Sequence, residues 1–151
     1  MLKWLGLSAL VVALDLYTKH VVQTALAFGE RIALTPFFEL VLFHNEGAAF
    51  SFLAGAGGWQ RHLFSAFAIV ASVVIFYLLR KHSRETLFSV ALALILGGAL
   101  GNLYDRLTLG HVVDFLFFHY QEYYWPAFNI ADSAITVGVA LMLWDGLKKK
   151  S

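Results

Sequence analysis

Four long apolar windows dominate this sequence, at about residues 4 to 22, 63 to 79, 86 to 104 and 127 to 145. A helix needs about 20 mostly apolar residues to cross the hydrocarbon core of a bilayer. The chain is 60% hydrophobic and 14% charged, whereas soluble domains are roughly 45–50% apolar and about 25% charged. The windows therefore predict one integral membrane domain over residues 1 to 151, mainly α, with four transmembrane helices.

The first window resembles a secretory signal, because Lys3 precedes it and Ala25-Leu26-Ala27 imitates a cleavage site. However, Asp15, Lys19 and His20 lie between the apolar stretch and that site. A signal peptide combines an apolar region of about 7–15 residues with a nearby small-residue cleavage site, and here the apolar stretch ends well before that site. We therefore expect the first window to be a retained membrane anchor.

Basic residues predict the orientation. Cytoplasmic loops carry an excess of Lys and Arg, and one side of the predicted topology carries seven of them: Lys3, Arg80, Lys81, Arg84, Lys148, Lys149 and Lys150. The opposite side carries only Arg31, Arg61 and Arg106. Both termini are therefore predicted to be cytoplasmic, and the two longer loops extracytoplasmic.

The outer segment from about residue 23 to 62 is too long for a simple connector. Phe37 to His44 is rich in β-forming residues, Asn45-Glu46-Gly47 offers a turn, and Ala48 to Leu53 can return as a second strand. This predicts a small extracytoplasmic β-platform over about residues 34 to 53. The second outer segment, 105 to 126, is predicted to be an apolar, aromatic loop.

Ionisable residues inside a membrane cost about 2.5–3.5 kcal/mol each on insertion scales, so each needs a partner or a purpose. Asp15 and Lys19 are four apart on the first window and share a helix face. We interpret them as a structural pair. Gly98 and Gly101 on the third window are interpreted as small residues that let helices approach closely.

Asp114 and Asp132 favour a chemical role. Asp114 lies in the apolar string Val112-Val113-Asp114-Phe115-Leu116, and Asp132 lies near the outer end of the fourth window. Desolvation disfavours the charged form of a carboxyl, and two adjacent carboxyls cannot both ionise easily. A shared proton suits peptide hydrolysis, with one group as base and the other as acid. A proton or ion relay and a purely structural pairing remain open.

Other chemistries receive less support. A serine and lysine peptidase would use Lys19 with Ser51 or Ser133, but nothing in the local sequence favours either serine. His44, His111 and His119 are outward, yet no His-Glu-x-x-His helix is present, so we expect no metal and no cofactor. Transport would show repeated or broken helices. With no cysteine and a net charge of +1, neither a thiol nucleophile nor a nucleic-acid partner is expected.

Five short strings, in order along the chain, resemble the lipoprotein signal peptidase (type II signal peptidase) family of bacteria. They are Asp15-Leu-Tyr-Thr-Lys19, Asn45-Glu-Gly-Ala-Ala-Phe50, Gly98-Ala-Leu-Gly-Asn102-Leu-Tyr-Asp105-Arg106, Val112-Val-Asp114-Phe115 and Phe128-Asn129-Ile-Ala-Asp132-Ser133. Each string is short, but together they run from the first window to the last.

The resemblance implies an aspartic endopeptidase of the bacterial inner membrane, which removes signal peptides from diacylglyceryl-modified prolipoproteins before the lipidated cysteine. It implies that Asp114 and Asp132 are catalytic, that Asn45 and Arg106 hold the substrate backbone, and that Asn102 and Asn129 support the pair. It also implies a structural role for Asp15 and Lys19 and no metal. We expect membrane lipid and prolipoproteins as partners, no nucleic acid, and a monomer.

Overall fold

The computed structural model describes residues 1–47 and 59–149. Eight elements follow one another along these residues: α1 (Leu2–Ala25), β1 (Arg31–Thr35), β2 (Phe38–Asn45), α2 (Trp59–Lys81), α3 (Thr86–Thr108), β3 (Val112–Tyr120), β4 (Tyr123–Phe128) and α4 (Ile130–Lys148).

The four helices of the described residues contain 24, 23, 23 and 19 residues and are long and apolar enough to cross a membrane. At 1.5 Å rise per residue, each matches the roughly 30 Å of a hydrocarbon core. Helix α3 lies at the centre of the bundle and packs against α1, α2 and α4. It therefore has the most buried surface, while α2 and α4 expose apolar side chains such as Phe67, Val73 and Leu143. Those side chains face the lipid.

The strands form one antiparallel sheet in the order β1-β2-β3-β4. Its inner strands pair Leu40 with Leu116 and Phe43 with Asp114, and the ladder shifts register between these two pairs. An apolar cluster fixes the sheet to the end of α1: Val22, Leu26, Leu42, Val113 and Phe115. The sheet is thereby held at the same end of the bundle as the start of α4.

The sequence predicted the helices and a small sheet but not its composition. The segment expected to be an aromatic loop forms β3 and β4 and supplies half of the strands. β2 forms a local hairpin with the preceding β1, and its other edge pairs with the distant β3. The expected return strand, Ala48 to Leu53, lies outside the described residues. The fourth helix begins at Ile130 and not at 127, because residues 127 and 128 end β4.

Small residues bring α3 into backbone contact with its neighbours. A Cβ added at Gly98 would lie 2.3 Å from the carbonyl oxygen of Ala131 on α4. A Cβ at Gly101 would lie 2.7 Å from a carboxylate oxygen of Asp15 on α1. Neither helix could approach this closely past a larger side chain. The geometry supports the packing role predicted for Gly98 and Gly101.

Candidate active site

The position of Asp132 is fixed by the beginning of α4. Asn129 caps this helix: its side-chain oxygen accepts from the backbone N–H of Asp132 at 2.9 Å, and the Asp132 carboxylate accepts from the backbone N–H of Asn129 at 3.3 Å. This reciprocal arrangement is a capping box. The partial positive charge of a helix N-terminus stabilises a carboxylate there. Asp132 is therefore held in one orientation at the N-terminus of α4.

Asp114 lies on the central strand β3 and is almost fully buried, with 3% of its surface exposed. Asn45 and Asn129 each donate a side-chain hydrogen bond to it, at 3.1 and 2.8 Å. Burial, together with the nearby negative charge of Asp132, nevertheless raises the pKa of the Asp114 carboxyl from 3.8 to about 7. This carboxyl can therefore hold a proton near neutral pH.

Two asparagines connect the aspartates. The Asn129 side chain donates to the Asp114 carboxylate and accepts from the backbone N–H of Asp132, so one side chain contacts both residues. Asn102, on α3, donates to Asp132 at 2.7 Å and accepts from Asn129 at 3.1 Å. Asp114 from β3 and Asp132 from α4 are thus brought to the same place. We call these two residues the aspartate pair.

A second group of charges lies behind Asn102. Lys19 contacts Asp15 at 2.6 Å and Asp105 at 2.8 Å, and its third partner is the side-chain oxygen of Asn102 at 3.1 Å. Backbone N–H groups of Ala131 and Val113 donate to Asp15 and Asp105 respectively. All three ionisable side chains are at most 3% exposed. We call Asp15, Lys19 and Asp105 the closed cluster.

Arg106 follows Asp105 on α3. Its positive charge lies close enough to interact electrostatically with both members of the aspartate pair. Its guanidinium lies over the ring of Phe64, 5.5 Å from the ring centroid, and one terminal nitrogen donates weakly to the backbone oxygen of Asn102 at 3.4 Å. The Nε atom is buried and has no hydrogen-bond partner in the described part of the chain. The hydrogen-bond donors of Arg106 are thus not all used within the described residues.

The geometry does not assemble the serine and lysine alternative. The Ser133 hydroxyl donates to the backbone oxygen of Asn129 at 2.9 Å, one turn back on its own helix. The Lys19 ammonium already has three partners, which is all that three N–H donors can serve. Ser51 lies outside the described residues. Within residues 1–47 and 59–149, no group of three or more His, Asp or Glu side chains is arranged to hold a metal ion.

Every site residue named from the sequence lies in one of these groups or adjoins them. Asn45, Asn102, Asn129 and Arg106 surround the aspartate pair. Sequence reasoning gave no role to Asp105, which completes the closed cluster. The sequence did contain a hint of this role. Asp105 lies at the outer end of the third window, at about the same membrane depth as Lys19 in the first window. The fold and the site together define a multi-pass membrane protein with paired carboxylates at one end of its helix bundle.

Known proteins share this combination. The family model for signal peptidase (SPase) II matches residues 7–148. The chain is 58% identical to the lipoprotein signal peptidase of Burkholderia mallei (strain SAVP1) over 146 residues, covering 97% of this chain and 88% of the relative. It is 54% identical to the lipoprotein signal peptidase of Paraburkholderia phymatum, with the same coverage.

Solved structures agree. One bacterial membrane enzyme, determined by the in meso method at 2.3 Å resolution, superimposes with a TM-score of 0.89 at 32% identity, covering 100% of this chain and 91% of the other. A second, at 1.9 Å, gives a TM-score of 0.86 at 32% identity, covering 98% and 94%. The chain belongs to the signal peptidase II family. It is a membrane aspartic endopeptidase with several transmembrane helices, of bacterial type.

Proposed function

We propose that this enzyme removes the signal peptides of diacylglyceryl-modified prolipoproteins, cutting before the lipidated cysteine with a water activated between Asp114 and Asp132. The observation that carries the proposal is the contact of Asn129 with both aspartates. It places an acid with a pKa of about 7 beside an acid at a helix N-terminus. One proton shared by two carboxyls is the state that peptide hydrolysis requires.

In the proposed reaction, Asp132 is ionised and takes a proton from the water as its oxygen attacks the scissile carbonyl carbon. Asp114 gives its proton to the carbonyl oxygen, which yields a neutral tetrahedral diol. Asp132 then protonates the amide nitrogen, the C–N bond breaks, and a diol hydroxyl returns a proton to Asp114. The products are the carboxyl end of the signal peptide and the free amine of the lipidated cysteine. Both aspartates end in their starting states.

The surrounding residues have distinct roles in this proposal. Asn102 and Asn129 hold the two carboxyls in position, because each donates to one of them and they bond to each other. Asn45 holds the second oxygen of Asp114. Arg106, which lies near both aspartates, binds a substrate backbone carbonyl through its guanidinium group. No metal or other cofactor takes part.

The position of the site suits a substrate that is anchored in the membrane. We infer that both termini are cytoplasmic and that the site opens at the outer, periplasmic side of the bacterial inner membrane. In support, the Trp4 indole donates to the backbone oxygen of Ser83, and Lys149 contacts Glu85. The termini therefore share the end of the bundle that carries Arg80, Lys81 and Arg84, opposite the sheet.

The absence of cysteine allows a direct test of this orientation. Ser83→Cys and Gln121→Cys place single thiols at opposite ends of the bundle. A membrane-impermeant maleimide added to intact spheroplasts is expected to label only Gln121→Cys, and to label Ser83→Cys after lysis. Labelling of Ser83→Cys in intact spheroplasts would reverse the orientation.

We also propose that the enzyme is a monomer. Light scattering of the enzyme after solubilisation from the same membranes tests this.

The function itself is tested with a purified diacylglyceryl-modified prolipoprotein in detergent micelles. Wild type is expected to release the signal peptide. Asp114→Asn and Asp132→Asn, matched for membrane expression, are expected to lose about 100-fold to 10,000-fold or more of kcat, since each removes an acid or base from the reaction. Full activity in either variant would contradict the proposal. Ion flux in liposomes without peptide release would favour the relay alternative instead.

A further inference from the structure

Two histidines stack beside the aspartate pair without contacting its carboxylates. His44 is the penultimate residue of β2, and His111 directly precedes β3. Their ring centroids are 3.8 Å apart with an interplanar angle of 23°, and the His44 ring also lies 4.8 Å from the ring of Phe28, centroid to centroid. The stack lies at the end of the β2–β3 ladder, where His44 pairs with Val113 and Asn45 with Val112. It is thus one residue from Asn45 and three residues from Asp114.

Asn45 is the group that this stack can control. Its side-chain oxygen accepts from the backbone N–H of Gly47 at 2.9 Å, so its amide nitrogen must point the other way. That nitrogen donates to Asp114 at 3.1 Å. Gly47 has a φ of +107°, and an added Cβ would lie 2.9 Å from the ring of Phe64. The turn after β2 therefore fixes the direction of the amide, and the ladder fixes its distance from Asp114.

We propose that the stacked His44–His111 pair is a positioning device, which holds the ends of β2 and β3 together so that Asn45 stays hydrogen-bonded to Asp114, and which fails when both rings are protonated. The proposal rests on the proposed function of the aspartate pair. At 3.8 Å, one charged and one neutral imidazole can stack, but two imidazolium ions repel each other. A shift of about 1 Å at a catalytic group can cost about 100-fold in rate.

The surroundings set the acidity at which this happens. Burial, and then the neighbouring His111 ring, hold the pKa of His44 below its usual value, and Glu46 acts in the opposite direction. Within the described residues, His111 and Glu46 also line a cavity of about 560 Å³ with Trp59, Arg61, His62, Leu109 and Gly110. Arg61 adds positive charge there and opposes a second proton on the stack. Protonation of both rings is therefore disfavoured, and the stack is expected to separate only in acid.

A loss of activity in acid can be distinguished from the titration of Asp114. Asp114 keeps its proton below pH about 7, and a pair with one proton persists until its second carboxyl is also protonated. A decline of kcat between about pH 6 and 4.5 therefore need not come from Asp114. If it comes from the stack, it disappears when one histidine is replaced by an aromatic ring that cannot be charged.

The test compares His111→Phe, which keeps a ring to stack on His44, with His111→Ala, which does not. His119→Phe is the matched control, because His119 lies near the far end of the same strand and pairs with Glu39. Cleavage of the diacylglyceryl-modified substrate gives kcat and KM between about pH 4.5 and 8. Hydrogen exchange of the residue 112–114 amides at pH 7 is measured in parallel, because it does not depend on activity.

We expect kcat of the wild type and of His119→Phe to fall about tenfold from pH 6.5 to 4.5, and that of His111→Phe to stay level. His111→Ala is expected to lose about tenfold in kcat at pH 7, with little change in KM, and to exchange faster at residues 112–114. Superimposed profiles for wild type and His111→Phe, or unchanged exchange in His111→Ala, would overturn the inference. Loss of cleavage in the wild type itself would instead overturn the proposed function.

Discussion

The closed cluster and the aspartate pair each contain two aspartates and adjoin one another, yet the environments of these aspartates differ. In the closed cluster, two carboxylates flank one ammonium, and backbone N–H groups serve both acids. In the aspartate pair, the direct hydrogen bonds come from neutral asparagines and backbone, without a cation. Asp132 is also only partly buried. Asp15 and Asp105 are thus neutralised by a cation and stabilise the fold. Within the described residues, Asp114 and Asp132 have only neutral hydrogen-bond donors and are free to exchange a proton.

Asn102 joins the two regions. Its side-chain oxygen accepts from Lys19 and its nitrogen donates to Asp132. The ammonium thereby determines which way the amide points, and the amide determines where Asp132 can lie. The closed cluster is therefore the rigid support of the pair, and each difference between the two can be tested separately.

The largest effect on stability is expected from Lys19→Met, which leaves two buried carboxylates without their cation. Breaking a buried ion pair by removing one partner costs about 3–5 kcal/mol. We expect a large fall in the thermal unfolding temperature in detergent. Lys149→Met, which removes a half-exposed lysine at the opposite end, is the control and should change little. Equal unfolding temperatures for Lys19→Met and wild type would show that the cluster does not hold the fold.

A second prediction concerns Asp114→Asn and has the opposite sign. Raising a carboxyl pKa from 3.8 to about 7 corresponds to a cost of on the order of 4 kcal/mol when the group ionises in the folded state. This cost is absent below pH 3.8, grows as the pH rises, and is complete above pH about 7. The variant should therefore gain unfolding temperature relative to wild type between pH 5 and 8. A constant difference across this range would contradict the raised pKa.

A smaller loss is expected from Gly101→Ala, because the added Cβ would lie 2.7 Å from the Asp15 carboxylate. Overpacking of this kind costs about 1–3 kcal/mol. Ala at Gly146, where nothing lies within 4 Å of an added Cβ, is the matched control on α4. We expect Gly101→Ala to unfold at a lower temperature than Gly146→Ala. The reverse order would mean that α1 and α3 can separate without cost.

The smallest effect is expected from Ser133→Ala. Its hydroxyl donates only to a backbone oxygen of its own helix, so kcat should remain within about twofold of wild type. An inactive but folded Ser133→Ala would revive the serine alternative and would remove the distinction drawn for the aspartate pair. Circular dichroism of the purified variant provides the check on folding.

Much of this arrangement can be predicted from sequence because lipid imposes simple constraints. Apolar windows of helix length identify the four spans, and an acid such as Asp15 in a span requires a cation such as Lys19 four residues away. The pairing of β2 with β3 is different, because it joins residues about 70 positions apart and leaves no local pattern. The aromatic residues 112–128 therefore looked like a loop, although they form two strands.

The details of the site were similarly out of reach of local patterns. The sequence places Asp114 and Asp132 near the outer edge, but their meeting depends on Asn129, which acts as helix cap and as donor to β3 at once. The roles of Asp105 and of the His44–His111 stack depend on side-chain contacts between distant elements. Such contacts follow from the tertiary packing and not from the neighbours along the chain.

The central claim is that Asp114 and Asp132 share one proton near neutral pH. Infrared titration of the protonated carboxyl C=O band, compared between wild type and aspartate variants in detergent, tests it most directly. We predict a band in wild type that disappears with a midpoint near pH 7, is absent in Asp114→Asn, and has a lower midpoint in Asp132→Asn because the neighbouring negative charge is gone. An unchanged midpoint in Asp132→Asn, or no such band in wild type at pH 6, would contradict the account.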